Sequence, residues 1–543
     1  MILKNSFNYI NQFFFFFTSK TRNFYLNSIV YNNKISKTEN KSLEYKPSPE
    51  LTDCIIKYKK KKNKIEDFSL QSIWINKNIK KKDYEKLHNF FWLFTLDLKS
   101  SKNITQSIIL NWINSNSKYN AKNWEIDVLS KRIIAWISNS KLTYEESNED
   151  YKKKFNNIIQ KQTNHLINEI ERSENLDDKV LGCTAVILVG LSYQNNLKHL
   201  EFGLNFLKKV TKYSLDSEGF PKSRSIRQLI FYYKYFILIR EWLKESQNDI
   251  PEYIDETIYN LGSAYSLLSQ GLKQSALFNG NHETNNEDFD NYLLKFGYKF
   301  KNENQEIGGY SVQKNKKIAL VMDIGHSPEK KFSKDYQFGA LSFEIISNQN
   351  KIICNSGYFQ NHKHKLNGLS KATANHSTLI IDNSSSCKLQ KVGSKSSVVE
   401  QSLKILNKSS SFEKNYWNIV ASHNGYLKKY GIIHERKIAF YPEQNKFIGT
   451  DSIIKKKNYK NVNFEIRFHL LPTSKIMKTQ DKKSIFIEVD KEGWKFTTEN
   501  YEINLETGLY FGKKNTFVEN QNIFISGMTQ NENQNIKWVL NKI

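Results

Sequence analysis

Gln337-Phe-Gly-Ala-Leu-Ser-Phe-Glu344, Lys351-Ile-Ile-Cys-Asn-Ser-Gly357 and Ala374-Asn-His-Ser-Thr-Leu-Ile-Ile-Asp382 each join a short apolar run to a polar cluster. Runs of this length, punctuated by Gly, Ser and Asn, read as strands. When such strands pair, their polar ends converge, and convergent strand ends are where a site is assembled. The same pattern extends outward from Gly309 to Ser526, through Ile318–Met322, Trp417–Ala421, Ile432–Tyr441, Phe447–Lys455, Asn463–Leu470, Ser484–Val489 and Ile523–Ser526. Strand after strand with no helix between them predicts antiparallel sheets stacked as a β-sandwich.

Before Gly308 the hydrophobic period lengthens. Tyr84–Leu98, Ile104–Ile113, Val128–Ile137, Phe155–Ile170, Val180–Tyr193, Leu200–Tyr213, Ile226–Leu243 and Tyr253–Leu272 repeat at helical spacing with short polar connections. Successive helical hairpins of this kind stack as an incomplete (α/α) toroid. The fold class is therefore α+β and multidomain: an N-terminal extension over 1–64, a helical domain over 65–300 and a sandwich over 301–543. A chain of 543 residues is too long for a single core, which supports that division.

With 39% hydrophobic residues the protein is globular, and a formal charge of +26 suits an anionic partner. Lys is abundant everywhere, however, and the basic runs Lys59–Lys62 and Lys80–Lys82 accompany no nucleic-acid-binding motif. Nucleic acid is not an expected partner. Cys54, Cys183, Cys354 and Cys387 are widely spaced without a CxxC, which argues against a zinc finger and a disulfide scaffold. The Phe13–Phe17 run is too short to span a membrane and lacks a small-residue cleavage site, so neither a transmembrane segment nor a secretion signal is expected. An aromatic end packed on the first domain or an interfacial anchor are the two readings of that run. No P-loop, nucleotide-binding glycine run or nucleophile elbow is present.

Taken with Trp124-Glu-Ile-Asp-Val-Leu-Ser-Lys-Arg132-Ile-Ile-Ala-Trp136, Phe220-Pro-Lys-Ser-Arg224-Ser-Ile-Arg227-Gln228, Ala276-Leu-Phe-Asn279-Gly280, Ser422-His423-Asn-Gly425-Tyr426 and Gly431-Ile-Ile-His434-Glu-Arg436, the opening stretches resemble the heparinase II/III family of polysaccharide lyases. The resemblance covers roughly residues 65 to 500. It implies cleavage of an acidic, uronate-containing polysaccharide by β-elimination: a base removes the C5 proton, a cation or hydrogen-bond donor neutralises the carboxylate, and an acid protonates the leaving oxygen. A periplasmic or cell-envelope location and a zinc ion follow from the same resemblance. The zinc ligands fall on Gln337, Asn355 and His376, where Gln and Asn offer only neutral oxygens. The family's catalytic His falls near Asp335, the His of its Asp-Gly segment falls on Phe220, and its Asn-His helix start has no counterpart around Asn175–Asp178.

The candidate catalytic residues are then Arg224, Gln228, Tyr232, His376 and His423, and the candidate substrate-binding residues are Arg132, Trp136, Asn279 and His282. Arg224 and Gln228, four apart, would share a helix face, and Arg can grip a carboxylate bidentately; a solvated charge is the alternative. Tyr232 offers a phenol or packs in a core, Arg132 faces a sugar or pairs structurally, and His376 is a site residue or a hydrogen-bonded structural one. His362-Lys-His364 has metal-like spacing but reads as a solvated loop pair. A lyase and a catalytically impaired glycan-binding relative are the two functional expectations. A glycoside hydrolase is the weaker third, since no carboxylate pair stands out.

Overall fold

The structure, a computed structural model, describes residues 20–37, 42–56, 80–96, 102–193, 197–270, 272, 275–300, 305–392, 396–457 and 460–543. Phe13–Phe17 and Lys59–Lys62 lie outside them. The chain divides into two compact units, Met1–Ser214 with Phe231–Ile258, and Leu215–Ile230 with Tyr259–Ile543.

The first unit is helical. Its long helices run Lys102–Asn116, Ile126–Ser138, Glu149–Glu169, Leu176–Ser192 and Leu197–Ser214. Asn148 and Asn175 cap two of them by accepting from the backbone N–H of Tyr151 and Asp177. Trp112 and Trp136 meet edge to face at 5.5 Å, with Phe90 against both rings. The helix expected over Tyr84–Leu98 is broken there: it runs only Lys81–His88, Phe90 turns left-handed at φ 57°, and Phe91–Thr95 continues as a 3₁₀ turn. Full burial of Phe90 between the two tryptophans holds the chain in a conformation that a non-glycine residue rarely adopts.

The second unit contains the sheets, and every strand pair named is antiparallel. A five-stranded meander runs in chain order through Glu306–Ile307, Tyr310–Lys314, Ile318–Asp323, Phe343–Ser347 and Asn350–Ile353. An eight-stranded sheet is centred on Gln534–Lys542, Lys446–Lys455 and Ile432–Tyr441, and a four-stranded sheet ends on Leu379–Ile381. The three sheets share one core. Phe343 of the meander stacks on Trp538 of the eight-stranded sheet at 5.4 Å and 9°, and Phe468 of the four-stranded sheet meets both rings edge-on. The helical region followed by antiparallel sheets agrees with the sequence expectation.

Candidate functional site

The three opening stretches do converge, but into a buried polar staple. Glu344 accepts from the backbone N–H of Asn355 and of Leu277, and forms an ion pair with Lys351 at 3.0 Å. Asn355 Oδ1 accepts from Ser377 N–H, whose own hydroxyl donates to the Cys354 carbonyl. Arg436 reaches in from the eight-stranded sheet and donates to the carbonyls of Leu341 and Ser377. Most of these groups satisfy one another, as burial requires, while Asn355 Nδ2 and Arg436 Nη2 have no hydrogen-bond partner among the described residues.

Zinc does not fit this arrangement. Gln337 Nε2 donates to the carbonyls of Gly357 (2.9 Å) and Ser370 (2.7 Å), while Oε1 accepts from Gly280 N–H (3.1 Å), so its amide is committed at both ends. Asn355 Oδ1 is committed to Ser377. Only His376 has bare ring nitrogens, both buried and without a partner among the described residues. One imidazole with two neutral amides is a poor set for Zn2+. Among the described residues no three His, Cys, Asp or Glu side chains are placed to hold a metal ion. A chelator is accordingly expected to leave the thermal midpoint unchanged in differential scanning fluorimetry; a drop of several degrees, reversed by zinc, would refute this.

The accessible chemistry lies one step along the chain, around Asp335. Tyr358 donates its hydroxyl to Asp335 Oδ1 at 3.0 Å, His362 Nε2 lies 3.4 Å from the same oxygen, and Arg227 Nη2 lies 3.4 Å from Oδ2. The side chains of Arg227, Asp335 and His362 are each about a quarter exposed, at 24%, 22% and 25%, so a ligand can reach them. Burial disfavours the Asp335 carboxylate, but Arg227, His362, Lys371 and Lys334 outweigh it and hold its pKa below the usual range. Burial lowers His362 despite Asp335, and burial reinforced by Asp335 raises Tyr358 well above the ordinary phenol. At neutral pH the cluster thus presents an anionic carboxylate, a neutral imidazole, a protonated phenol and a guanidinium.

Backbone geometry places these groups. Gly357 has φ 83°, and a Cβ there would sit 2.9 Å from the backbone of Phe511 and Gly512, so only glycine lets the chain turn at that point. Tyr358 follows at once, and Asn367 Nδ2 and Ser370 Oγ hold the Phe359 backbone on either side. His282 lies nearby: its Nδ1 accepts from Gln360 Nε2 at 2.9 Å, and burial, with Lys514 and Arg227, lowers its pKa to about 4.

The remaining candidates are placed as follows. Arg224 precedes its expected helix, which begins at Ile226, and has φ 58°. Its five N–H groups meet Asp323 (2.7 Å) and the carbonyls of Gly308, Gly309, Gly325 and His326, leaving no donor for a ligand. Gln228 Oε1 accepts from Ser223 Oγ. Asn279 lies between Tyr310 and the Gln337 backbone. Arg132, Trp136 and Tyr232 are buried in the first unit, where Arg132 donates to His88, Asn123 and Gln162 and lies 4.2 Å from the centre of the Trp112 ring.

His423 belongs to a sealed chain inside the sandwich. Its Nδ1 accepts from Gly425 N–H, so its Nε2–H donates to His434 Nδ1 (3.2 Å), and His434 Nε2–H donates to Asp451 Oδ1 (2.7 Å). Those partners fix both tautomers with both rings neutral. Arg436 Nε and Trp538 Nε1 complete the bonds to Asp451. None of these groups reaches solvent.

Burial gives the protein a marked acid sensitivity. Burial lowers His88 and His165 in the first unit, and His376 and His469 in the second, each to about 3. The unfolded chain takes up these protons near pH 6.5, whereas the folded chain resists until about pH 3. The contribution to stability is therefore complete above pH 6.5 and falls as pH drops through that window. Each imidazole costs on the order of 1.4 kcal/mol per pH unit below 6.5. Urea midpoints should hold steady from pH 8 to about 6.5 and decline steeply toward about 4.5; a flat profile would contradict this.

Residues 304–539 match the family described as heparinase II/III-like, C-terminal. A heparinase III structure superposes with a TM-score of 0.68 at 15% identity, covering 91% of this chain and 84% of that one. A mutant of a heparan sulfate lyase from Pedobacter heparinus gives a TM-score of 0.66 at 14% identity, covering 91% of this chain and 82% of that one. No curated protein matches the sequence. The helices and sheets thus define the heparinase III class of fold. The family match rests on residues 304–539, the sheet half, and at 15% identity or below the likeness to the solved structures is one of fold. No described helix is long and apolar enough to cross a membrane.

Proposed function

We propose that this protein is a polysaccharide lyase that cleaves an acidic, uronate-containing polysaccharide by β-elimination, using the Asp335 cluster of the second unit. The observation carrying this reading is the grouping of a neutral imidazole, a protonated phenol and a guanidinium around one carboxylate. His362 takes the C5 proton on Nδ1, since Nε2 faces Asp335; the C5 electron pair forms the C4=C5 double bond as the C4–O bond breaks; Tyr358 protonates the departing oxygen. Because His362 Nδ1 and the Tyr358 ring are buried here, the reaction requires the Tyr358–His362 loop to open as substrate enters. Arg227 receives the uronate carboxylate and stabilises the charge that builds on it. Asp335 orients the imidazole and the phenol, which makes it a positioning residue. The domain family and the fold support the reaction class.

One observation favours the second reading, a glycan-binding relative of impaired activity. Asp335 is an anion placed where a uronate carboxylate would approach, and the donors of Arg224 and Gln337 are already spent. The new C4=C5 double bond is conjugated to the carboxylate, so cleavage products absorb in the ultraviolet where the intact polymer does not. A panel of uronate polysaccharides should give at least one progress curve that Tyr358→Phe abolishes. Retention of a polysaccharide on affinity electrophoresis with no absorbance from any substrate would establish the binding reading instead.

A further inference from the structure

We propose that the N-terminal segment is a docking surface for an anionic lipid bilayer. Among the described residues the three most exposed large apolar side chains are Phe24 (82%), Ile29 (79%) and Val30 (70%), and all three fall within seven consecutive residues. Scattered exposed apolar residues are ordinary, but a concentration of the most exposed ones in one short segment marks an interaction surface.

The opposite side of the segment is fixed to the helical unit. Arg22 forms an ion pair with Glu169, Tyr31 hydrogen-bonds His165 Nδ1 at 2.7 Å, and Lys34 donates to Asn168 at 2.7 Å. Leu26, Tyr31 and Ile35 are buried beneath it. Phe24, Ile29 and Val30 are thus held outward by a docked segment and are not the tips of a fraying end.

Charge identifies the occupant. The first 37 residues contain Lys4, Lys20, Arg22, Lys34 and Lys37 and no Asp or Glu, in a chain whose net charge is +26. Apolar side chains among cations, with Glu169 already paired to Arg22 and no acid in the segment itself, suit a surface that is hydrocarbon below and anionic above. This inference does not depend on the proposed reaction.

The full-length chain would be sedimented with vesicles of phosphatidylcholine alone and of phosphatidylcholine mixed with phosphatidylglycerol. Binding to the mixed vesicles, weakened by salt, with little binding to phosphatidylcholine alone is the expected result. Phe24→Glu/Ile29→Glu/Val30→Glu should reduce it at least about tenfold, since apolar insertion is lost while circular dichroism and thermal midpoint stay as in the wild type. Lys37→Ala should weaken binding by a smaller factor and flatten the salt dependence. Failure of the wild type to sediment with either vesicle would overturn the proposal, as would a triple variant that binds like wild type. A wild-type dimer that the triple variant dissociates, with no vesicle binding, would assign the surface to a second copy and overturn it equally.

Discussion

Tyr358→Phe should lower kcat on a cleaved polysaccharide by about 10²–10⁴-fold while leaving the thermal midpoint within a degree or so of wild type, since a positioned proton donor contributes on that scale. The hydroxyl points at Asp335 from the end of a ring that is otherwise packed, so its removal costs one hydrogen bond and no volume. His362→Gln should reduce kcat comparably and remove the acidic limb of the pH–rate profile, because the base must be neutral to act. Arg227→Lys keeps the charge but loses the forked geometry, and should raise KM more than it lowers kcat. Asp335→Asn separates orientation from charge: if Asp335 only positions its neighbours, part of the activity survives with a shifted pH profile. Full activity in Tyr358→Phe or His362→Gln would remove these residues from the mechanism.

Asp451→Asn should do the opposite, destabilising the protein by about 3–5 kcal/mol, as breaking one side of a buried ion pair does. The change is nearly isosteric, yet it leaves the Arg436 guanidinium without its counter-charge at a site with no solvent. The amide nitrogen that replaces one oxygen also cannot accept from His434 Nε2–H or Trp538 Nε1–H, so at least one donor is stranded. Against a typical total of about 5–15 kcal/mol, that loss should be visible as a large fall in the urea midpoint. Arg436→Met in the same chain should recover part of it, because the unpaired charge is then gone. A loss below about 1 kcal/mol would show that the network does not carry the sandwich.

Most of the fold was legible because its strongest signals are periodic and local. Ile432–Tyr441 and Ser484–Val489 fall where the alternation placed them, and the helices over Ile126–Ser138 and Ile226–Glu245 begin within two residues of their expected starts. Gln534–Lys542, at the centre of the eight-stranded sheet, was not read as a strand although Ile536, Trp538 and Leu540 alternate with Asn535, Lys537 and Asn541, because its partners lie far away in sequence. Glu492–Thr498 was missed for the same reason: its pairing with Gln534–Lys542 is set by tertiary contact, and local propensity is weak.

The site was less legible. Arg224 read as a carboxylate clamp or a solvated charge, and nothing in the sequence announces that four backbone carbonyls and Asp323 would saturate it. His362 read as a solvated loop histidine, and Arg227 and Tyr358 were passed over, since the groups they meet through Asp335 come from three separate segments. The one usable signal was positional: Asp335 occupies the place that the family resemblance gives to a histidine, and an imidazole supplied from a neighbouring loop is what the structure places beside it.

That loop has a consequence for how such a protein can change. From Gly357 to Asn367 its backbone is tied to neighbouring side chains and to the strand ends, while Tyr358 and His362 project from it toward Asp335. His362 contributes nothing to the shared apolar core, so its identity can drift without a folding penalty. A substitution at His362 can thus separate fold from chemistry: what the cluster is able to do changes, and the sandwich beneath need not register it.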